Sequence, residues 1–106
     1  MNNEQLKEMF RHRDNLMRIV SEETNIAPVA IMSKLRLREV VQARQIIMWA
    51  MIRKHGYSTM QIGTALGRTH GTIWHGLRCI DDALSINAPY TREIKRICEI
   101  IKNQTT

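Results

Sequence analysis

Apolar residues recur at steps of three and four along most of the chain, and this spacing restricts the fold more than any other feature. In the clearest segment the steps are four, three and four, which places the apolar residues on one face of a helix. These residues are Ile73, Leu77, Ile80 and Leu84. Only residues 33–38 alternate between apolar and polar side chains, and this short stretch has no second strand to pair with. The sequence therefore predicts an all-α fold.

Caps and helix-breaking residues divide the pattern into five or six helices. Pro28 suits the first turn of a short helix, and Gly56 is typical of the end of a long one. We expect residues 1–106 to form a single domain, a compact helical bundle. Its predicted segments are an N-terminal amphipathic helix at 1–24, a short helix at 28–32, a basic loop at 33–38, a long helix at 39–55, a helix-turn-helix at 58–85 and a C-terminal helix at 91–103.

The composition is that of an ordinary globular protein, with 43% hydrophobic and 25% charged residues in 106. Two cysteines, Cys79 and Cys98, are too few for a disulfide framework, which predicts a reducing, cytoplasmic location. The N-terminus has no targeting pattern, and the longest apolar run, residues 46–52, is too short to cross a bilayer. We therefore expect a soluble protein that has no contact with membranes.

The positive charge is concentrated in one segment. The chain carries a formal net charge of +6, and residues 34–80 hold eight basic residues against a single acid, Glu39. The basic residues are Lys34, Arg36, Arg38, Arg44, Arg53, Lys54, Arg68 and Arg78. Such a concentration indicates a polyanionic partner, although a solvated basic face would look the same in the sequence.

Residues 58–78 show the pattern of a helix-turn-helix. Ser58 can cap a helix of about two turns, Gly67 interrupts it, and a longer helix begins near Thr69 or His70. In a helix-turn-helix the first helix supports the second, whose N-terminal residues enter the major groove of DNA. The exposed side of the second helix would carry small or polar residues without a carboxylate. Those residues are His70, Gly71, Thr72 and His75.

Residues 62–75, Ile-Gly-Thr-Ala-Leu-Gly-Arg-Thr-His-Gly-Thr-Ile-Trp-His, resemble domain IV of DnaA, the bacterial replication initiator. That family shows Ile-Gly, then Arg-Asp-His-Thr-Thr-Val and a nearby His. Residues 33–38 are similar to the family's basic loop, and Ala-Arg-Gln at 43–45 to its Pro-Arg-Gln. The similarity extends over residues 14–103. It implies a TrpR-like helical fold and sequence-selective binding of double-stranded DNA, linked to replication or its regulation, in association with the nucleoid.

The resemblance also implies a role for individual residues. Arg36 corresponds to an arginine that enters the minor groove, while Arg44 and Gln45 correspond to residues that hold phosphates. His70 and Thr72 correspond to residues that contact bases. Arg68 and Arg78 are expected near the DNA backbone. The full predicted interface is Lys34, Arg36, Arg38, Arg44, Gln45, Arg68, Thr69, His70, Gly71, Thr72, His75 and Arg78.

The sequence departs from the family pattern at several positions. Thr69 stands in place of Asp and Gly71 in place of Thr, while Ile52 replaces a frequent Lys, and the turn before Arg68 is one residue shorter. Loss of the acid predicts tighter but less selective binding. No glycine-rich loop ending in Gly-Lys-Ser/Thr is found, so we expect no nucleotide, no cofactor and no catalysis. The chain is then either a stand-alone DNA-binding protein or a piece of a longer one.

Two other functions are compatible with the sequence, a protein-interaction module and a transcriptional regulator. For the former, the N-terminal helix offers an apolar stripe that could bind a partner or a second copy. Its residues are Leu6, Met9, Phe10 and Met17. RNA binding is disfavoured because few aromatic residues are available for stacking.

Other conspicuous side chains have structural interpretations. Trp74 lies beside Ile73 and is expected to pack in the core. His75 and Cys79 share a helix face but are too few to form a metal site. We expect His12 and His55 to be surface imidazoles.

Overall fold

The structure, a computed structural model, describes residues 1–104, and all the regular elements in this range are helical. The predicted all-α fold is therefore confirmed, and residues 33–37 form an irregular connection and not a strand. A 3-10 turn, Pro89–Thr91, precedes the last helix. The helices are α1 (Asn3–Thr24), α2 (Pro28–Met32), α3 (Arg38–Arg53), α4 (Thr59–Leu66), α5 (His70–Ser85) and α6 (Arg92–Lys102).

Local side-chain chemistry fixes the helix ends. Ser58 caps α4 as predicted, because its hydroxyl accepts from the Gln61 backbone N–H while the Gln61 side chain accepts from the Ser58 N–H. Thr69 caps α5 in a similar way by accepting from the Thr72 N–H. Helix α3 ends two residues before the predicted His55, and Gly56, at φ 74°, donates back to the Ile52 carbonyl.

Helix α3 forms the centre of the bundle. All its residues from Ile46 to Met51 are buried, so that the helix is covered on every side by α1, α5 and the remaining helices. A helix surrounded in this way has no polar face to turn to solvent. None of the helices in residues 1–104 is long and apolar enough to span a membrane.

The apolar stripe of α1 packs inside this same chain. Met9 and Met17 are buried, while Leu6 and Phe10 lie partly buried against the core. Most of this stripe therefore belongs to the core of the same chain, and binding of a partner or a second copy through α1 stays a prediction.

Helices α3 and α5 approach closely at Gly76. A Cβ at this position would collide with the Met48 sulfur and would lie 3.3 Å from Cγ of Gln45. Farther along, Trp49 Nε1 donates to the Asp81 carboxylate at 3.1 Å, and Arg53 forms an ion pair with the same carboxylate. These contacts fix the position of α5 against α3.

Candidate nucleic-acid interface

A tight turn at residues 67–69 connects α4 to α5. Gly67 adopts a left-handed conformation at φ 66°, which an L-residue with a side chain rarely adopts. The Arg68 N–H donates to the Gly63 carbonyl at 2.9 Å, and a Cβ on Gly63 would lie only 2.6 Å from the Arg68 carbonyl oxygen. Both glycines are thus required by the geometry of the turn.

Apolar side chains pack α4 against α5. The residues that face each other across the turn are all buried. They are Ile62 and Leu66 of α4, and Ile73 and Leu77 of α5. Helices α4 and α5 therefore form a helix-turn-helix whose second helix presents its N-terminal end to solvent, since His70, Gly71 and Thr72 are exposed.

Two arginines hold the basic loop, residues 33–38, against the helix-turn-helix. Arg44 Nε donates to the Ile31 carbonyl at 2.8 Å, and its Nη2 donates to the carbonyls of Ser33 and Leu35 at 2.6 and 3.2 Å. Arg68, in the turn before α5, also donates to the Ser33 carbonyl. The loop is therefore tied both to α3 and to the turn of the helix-turn-helix.

Arg44 supports the basic loop from a mostly buried position. Its side chain is only 9% exposed, and burial together with the nearby charge of Arg68 lowers its pKa. Two of its three guanidinium nitrogens donate to the chain itself. Sequence reasoning identified the residue but not this supporting role, because the bonds connect positions 9 to 13 residues apart.

The basic loop and the N-terminal part of α5 border one open groove of about 780 Å³. None of the residues that line it is acidic. Among the lining residues, nine belong to the predicted interface. They are Lys34, Arg36, Arg44, Gln45, Arg68, Thr69, Gly71, Thr72 and His75. We call this surface the basic groove.

The other three predicted residues lie outside the basic groove. His70, the first residue of α5, is exposed beside it, and Arg78 is exposed two turns farther along the helix. Arg38 is placed over the ring of Tyr90, with its guanidinium carbon 5.8 Å from the ring centre. The fold thus brings most of the predicted residues together and directs Arg38 toward the end of the bundle where the 3-10 turn lies.

Comparison with known proteins identifies the family. A sequence model described as "Bacterial dnaA protein helix-turn-helix" matches residues 13–80, which include the basic loop, α3, α4 and much of α5. The chain belongs to this family. The DnaA resemblance inferred from residues 62–75 is therefore confirmed, and with it the assignment of the chain to a helix-turn-helix domain of the DNA-binding type.

Individual relatives are chromosomal replication initiator proteins DnaA. The protein of Bacteroides thetaiotaomicron is 30% identical over 92 residues, which is 86% of this chain and 20% of the relative. That of Porphyromonas gingivalis is 35% identical over 72 residues, covering 67% and 15%, and that of Herpetosiphon aurantiacus is 35% identical over 82 residues, covering 76% and 17%. The chain thus spans about a fifth, or less, of the length of these relatives.

Two of the basic residues counted in the sequence bind other parts of this DnaA-type domain and do not line the basic groove. Arg53 is paired with Asp81, and Lys54 donates to the carbonyls of Ile101 and Gln104 at 2.5 and 2.9 Å. Both lie at the C-terminal end of α3, beyond Met48, the last residue of this helix that borders the groove. The cationic surface near the groove is therefore smaller than the charge count indicated.

The prediction that Trp74 packs in the core is wrong. Its side chain is 53% exposed, because Ile73 and Leu77 already occupy the buried face of α5. Trp74 instead shares the outer face with Gly71 and Arg78, three residues before it and four after it. A helical projection of α5 would have shown this placement.

The prediction that His12 and His55 are surface imidazoles is also wrong. Their rings stack with centres 3.8 Å apart, and Nδ1 of His12 shares a hydrogen bond with the Tyr57 hydroxyl at 2.8 Å. Burial, with the nearby charges of His12 and Lys54, lowers the pKa of His55 to about 4. His75 Nε2 lies 3.4 Å from the Cys79 sulfur, but residues 1–104 contain no group of three or more side chains suited to a metal.

Proposed function

We propose that this chain binds double-stranded DNA sequence-selectively, with α5 in the major groove and the basic loop in the adjacent minor groove. The observation that carries the proposal is the basic groove, in which Arg36 and Lys34 of the loop border the same concave surface as Gly71 and Thr72 of α5. A DNA duplex that lies along this surface would place its major groove at α5 and its adjacent minor groove at the basic loop.

Different residues supply affinity and selectivity in this arrangement. Arg36 reads the narrow, strongly negative minor groove of A·T-rich sequence, and Lys34, Arg68 and Arg78 contact phosphates. His70 lies at the exposed tip of α5, where it can reach base edges.

The replacement of Asp by Thr69 has a specific consequence. The Thr69 hydroxyl accepts from the Thr72 N–H at 3.3 Å and lies 3.0 Å from the Thr72 hydroxyl. This hydroxyl is neutral and already accepts a hydrogen bond, so it is a weaker acceptor than a carboxylate for the amino group of a cytosine. Readout by this domain therefore depends more on His70 and on the basic loop than on position 69.

The biological role that we propose follows from the relatives. Because these relatives are named chromosomal replication initiator proteins, we propose that this chain acts in replication or its regulation, on chromosomal DNA in the cytoplasm. We propose DNA recognition without catalysis and without a bound cofactor. Genome-wide mapping of bound sites would separate an origin-binding function from a transcriptional one, because the latter would place the sites at promoters.

The direct test is selection of a binding site from a random duplex pool, followed by affinity measurements on variants. We expect Arg36→Ala to weaken binding to the selected site. We expect His70→Ala to reduce discrimination against a mismatched site by about 1–3 kcal/mol. Lys102→Ala is the matched control, because it removes an exposed cation near the C-terminal end of α3, away from the basic groove.

Three outcomes would contradict the proposal. These are failure to enrich any sequence, parental affinity in Arg36→Ala, and equal losses in Lys102→Ala and Arg36→Ala. The affinity of the parent should also fall steeply as salt is raised, since phosphate contacts release counterions.

A further inference from the structure

The indole of Trp74 lies on the outer face of α5 and takes no part in the core. The chain has two tryptophans, and the other, Trp49, is only 4% exposed with its Nε1 bonded to Asp81. Trp74 is 53% exposed in the second turn of α5, the helix proposed to enter the major groove. Tryptophan in particular is enriched at binding interfaces, because its large ring can bury much apolar surface in a contact.

The surroundings of Trp74 leave room for a ligand. One turn earlier, Gly71 has no side chain, and nothing lies within 4 Å of the position that a Cβ would occupy there. Long side chains on a helix lean toward its N-terminus, so the space above Gly71 is within reach of the indole. Arg78 lies one turn later on the same face.

Charge distribution identifies the partner as DNA rather than as a protein surface. Trp74 lies on α5 between the exposed His70 and Arg78. His75, which borders the same recess as Trp74, also lines the basic groove. Asp82 is the one acid bordering the shallow recess on its C-terminal side. The indole is thus a single large apolar group on a polar and cationic helix face, and such a face suits a polyanion.

We propose that Trp74 is a specificity-determining DNA contact that packs against the methyl group of a thymine in the major groove. This inference rests on the proposed function. The thymine methyl is the main apolar feature that base edges offer in that groove. A tryptophan with open space beside it can cover such a methyl, whereas the small and polar residues around it cannot do so to the same extent.

Two measurements test the inference on the full chain and its selected duplex. The first is acrylamide quenching of tryptophan emission, with Trp74→Phe supplying the Trp49 background. We expect quenching of Trp74 to fall severalfold in the complex. The second is replacement of each thymine by uracil, which lacks the methyl. One such replacement should weaken parental binding about fivefold or more, but should have little effect on Trp74→Ala.

The variants separate this inference from the proposed function. Trp74→Ala and Trp74→Leu should both fold normally, because the side chain is exposed, and urea unfolding checks this. If Arg36→Ala and His70→Ala behave as proposed while Trp74→Ala binds like the parent, the inference is overturned and the function stands. The same holds if every uracil effect persists in Trp74→Ala. If the parent enriches no duplex, both are overturned.

Discussion

At the scale of single residues, Arg44 shows how a side chain can control a binding site that it scarcely touches. Its three hydrogen bonds hold the carbonyls of Ile31, Ser33 and Leu35, which define the path of the basic loop. A guanidinium can satisfy several acceptors in fixed directions, whereas the ammonium group of lysine is a point charge. The geometry of the loop therefore depends on arginine and not simply on a positive charge.

We predict that Arg44→Ala lowers the free energy of unfolding by about 2–4 kcal/mol, because carbonyls in a mostly buried site lose their charged donor. Arg44→Lys should still lower DNA affinity about tenfold, or about 1.4 kcal/mol, since the loop is no longer held in place. Urea unfolding and DNA titration measure the two effects. Arg78→Lys is the control for an exposed phosphate contact and should keep most of the parental affinity. Parental affinity in Arg44→Lys would favour the phosphate role over the supporting one.

At the scale of elements, the orientation of α5 relative to α4 depends on two glycines in and before the turn. Gly67→Ala should destabilise the protein by about 1–2 kcal/mol, since the residue is left-handed. Gly63→Ala should cost about 2–3 kcal/mol, because the added Cβ meets a backbone oxygen that cannot move away as a side chain could. Both values are measurable by urea unfolding.

The control for these two substitutions is Gly71→Ala. Gly71 lies in α5 with open space around it, so alanine should leave stability unchanged or raise it by about 0.5 kcal/mol. Equal effects at all three glycines would show that helix propensity, and not the geometry of the turn, determines the losses.

At the scale of the whole molecule, stability should depend on pH through the contact between α1 and the segment after α3. His55 stacks on His12, and the pKa of His55 is lowered to about 4 by burial, while that of His12 is also lowered. An unfolded histidine binds its proton near pH 6.5, so between these values the unfolded chain binds more protons. The free energy of unfolding is thus highest above pH 6.5 and decreases as the pH is lowered toward 4.

We expect the free energy of unfolding to decrease by on the order of 1–2 kcal/mol between pH 7.5 and pH 4.5. Urea unfolding at each pH measures this decrease. His55→Phe keeps a ring for stacking but cannot be protonated, and should have a flatter profile. The matched control, His70→Ala, removes an exposed imidazole elsewhere and should keep the parental profile. The pKa of Glu8 is lowered mainly by its hydrogen bond with Arg11, so protonation of Glu8 changes the stability only below about pH 4.5. A parental stability that is equal at pH 4.5 and 7.5 would contradict the prediction.

The sequence by itself determined the helical class, the cap at Ser58, the break at Gly67, the start of the next helix near Thr69 and the family. These features depend on apolar spacing and on local hydrogen bonds within a few residues, which a linear pattern records. The Gly-Arg-Thr-His segment and the basic residues before α3 then indicated DNA as the partner.

Only the tertiary structure decided what the individual cations and rings do. Arg44 supports the loop, Arg53 and Lys54 stabilise the opposite end of α3, and Trp74 lies outside the core. Each outcome depends on which residues from distant parts of the chain occupy the neighbouring space. A linear pattern gives the charge and size of a side chain, but its burial and its partners are set by packing between helices.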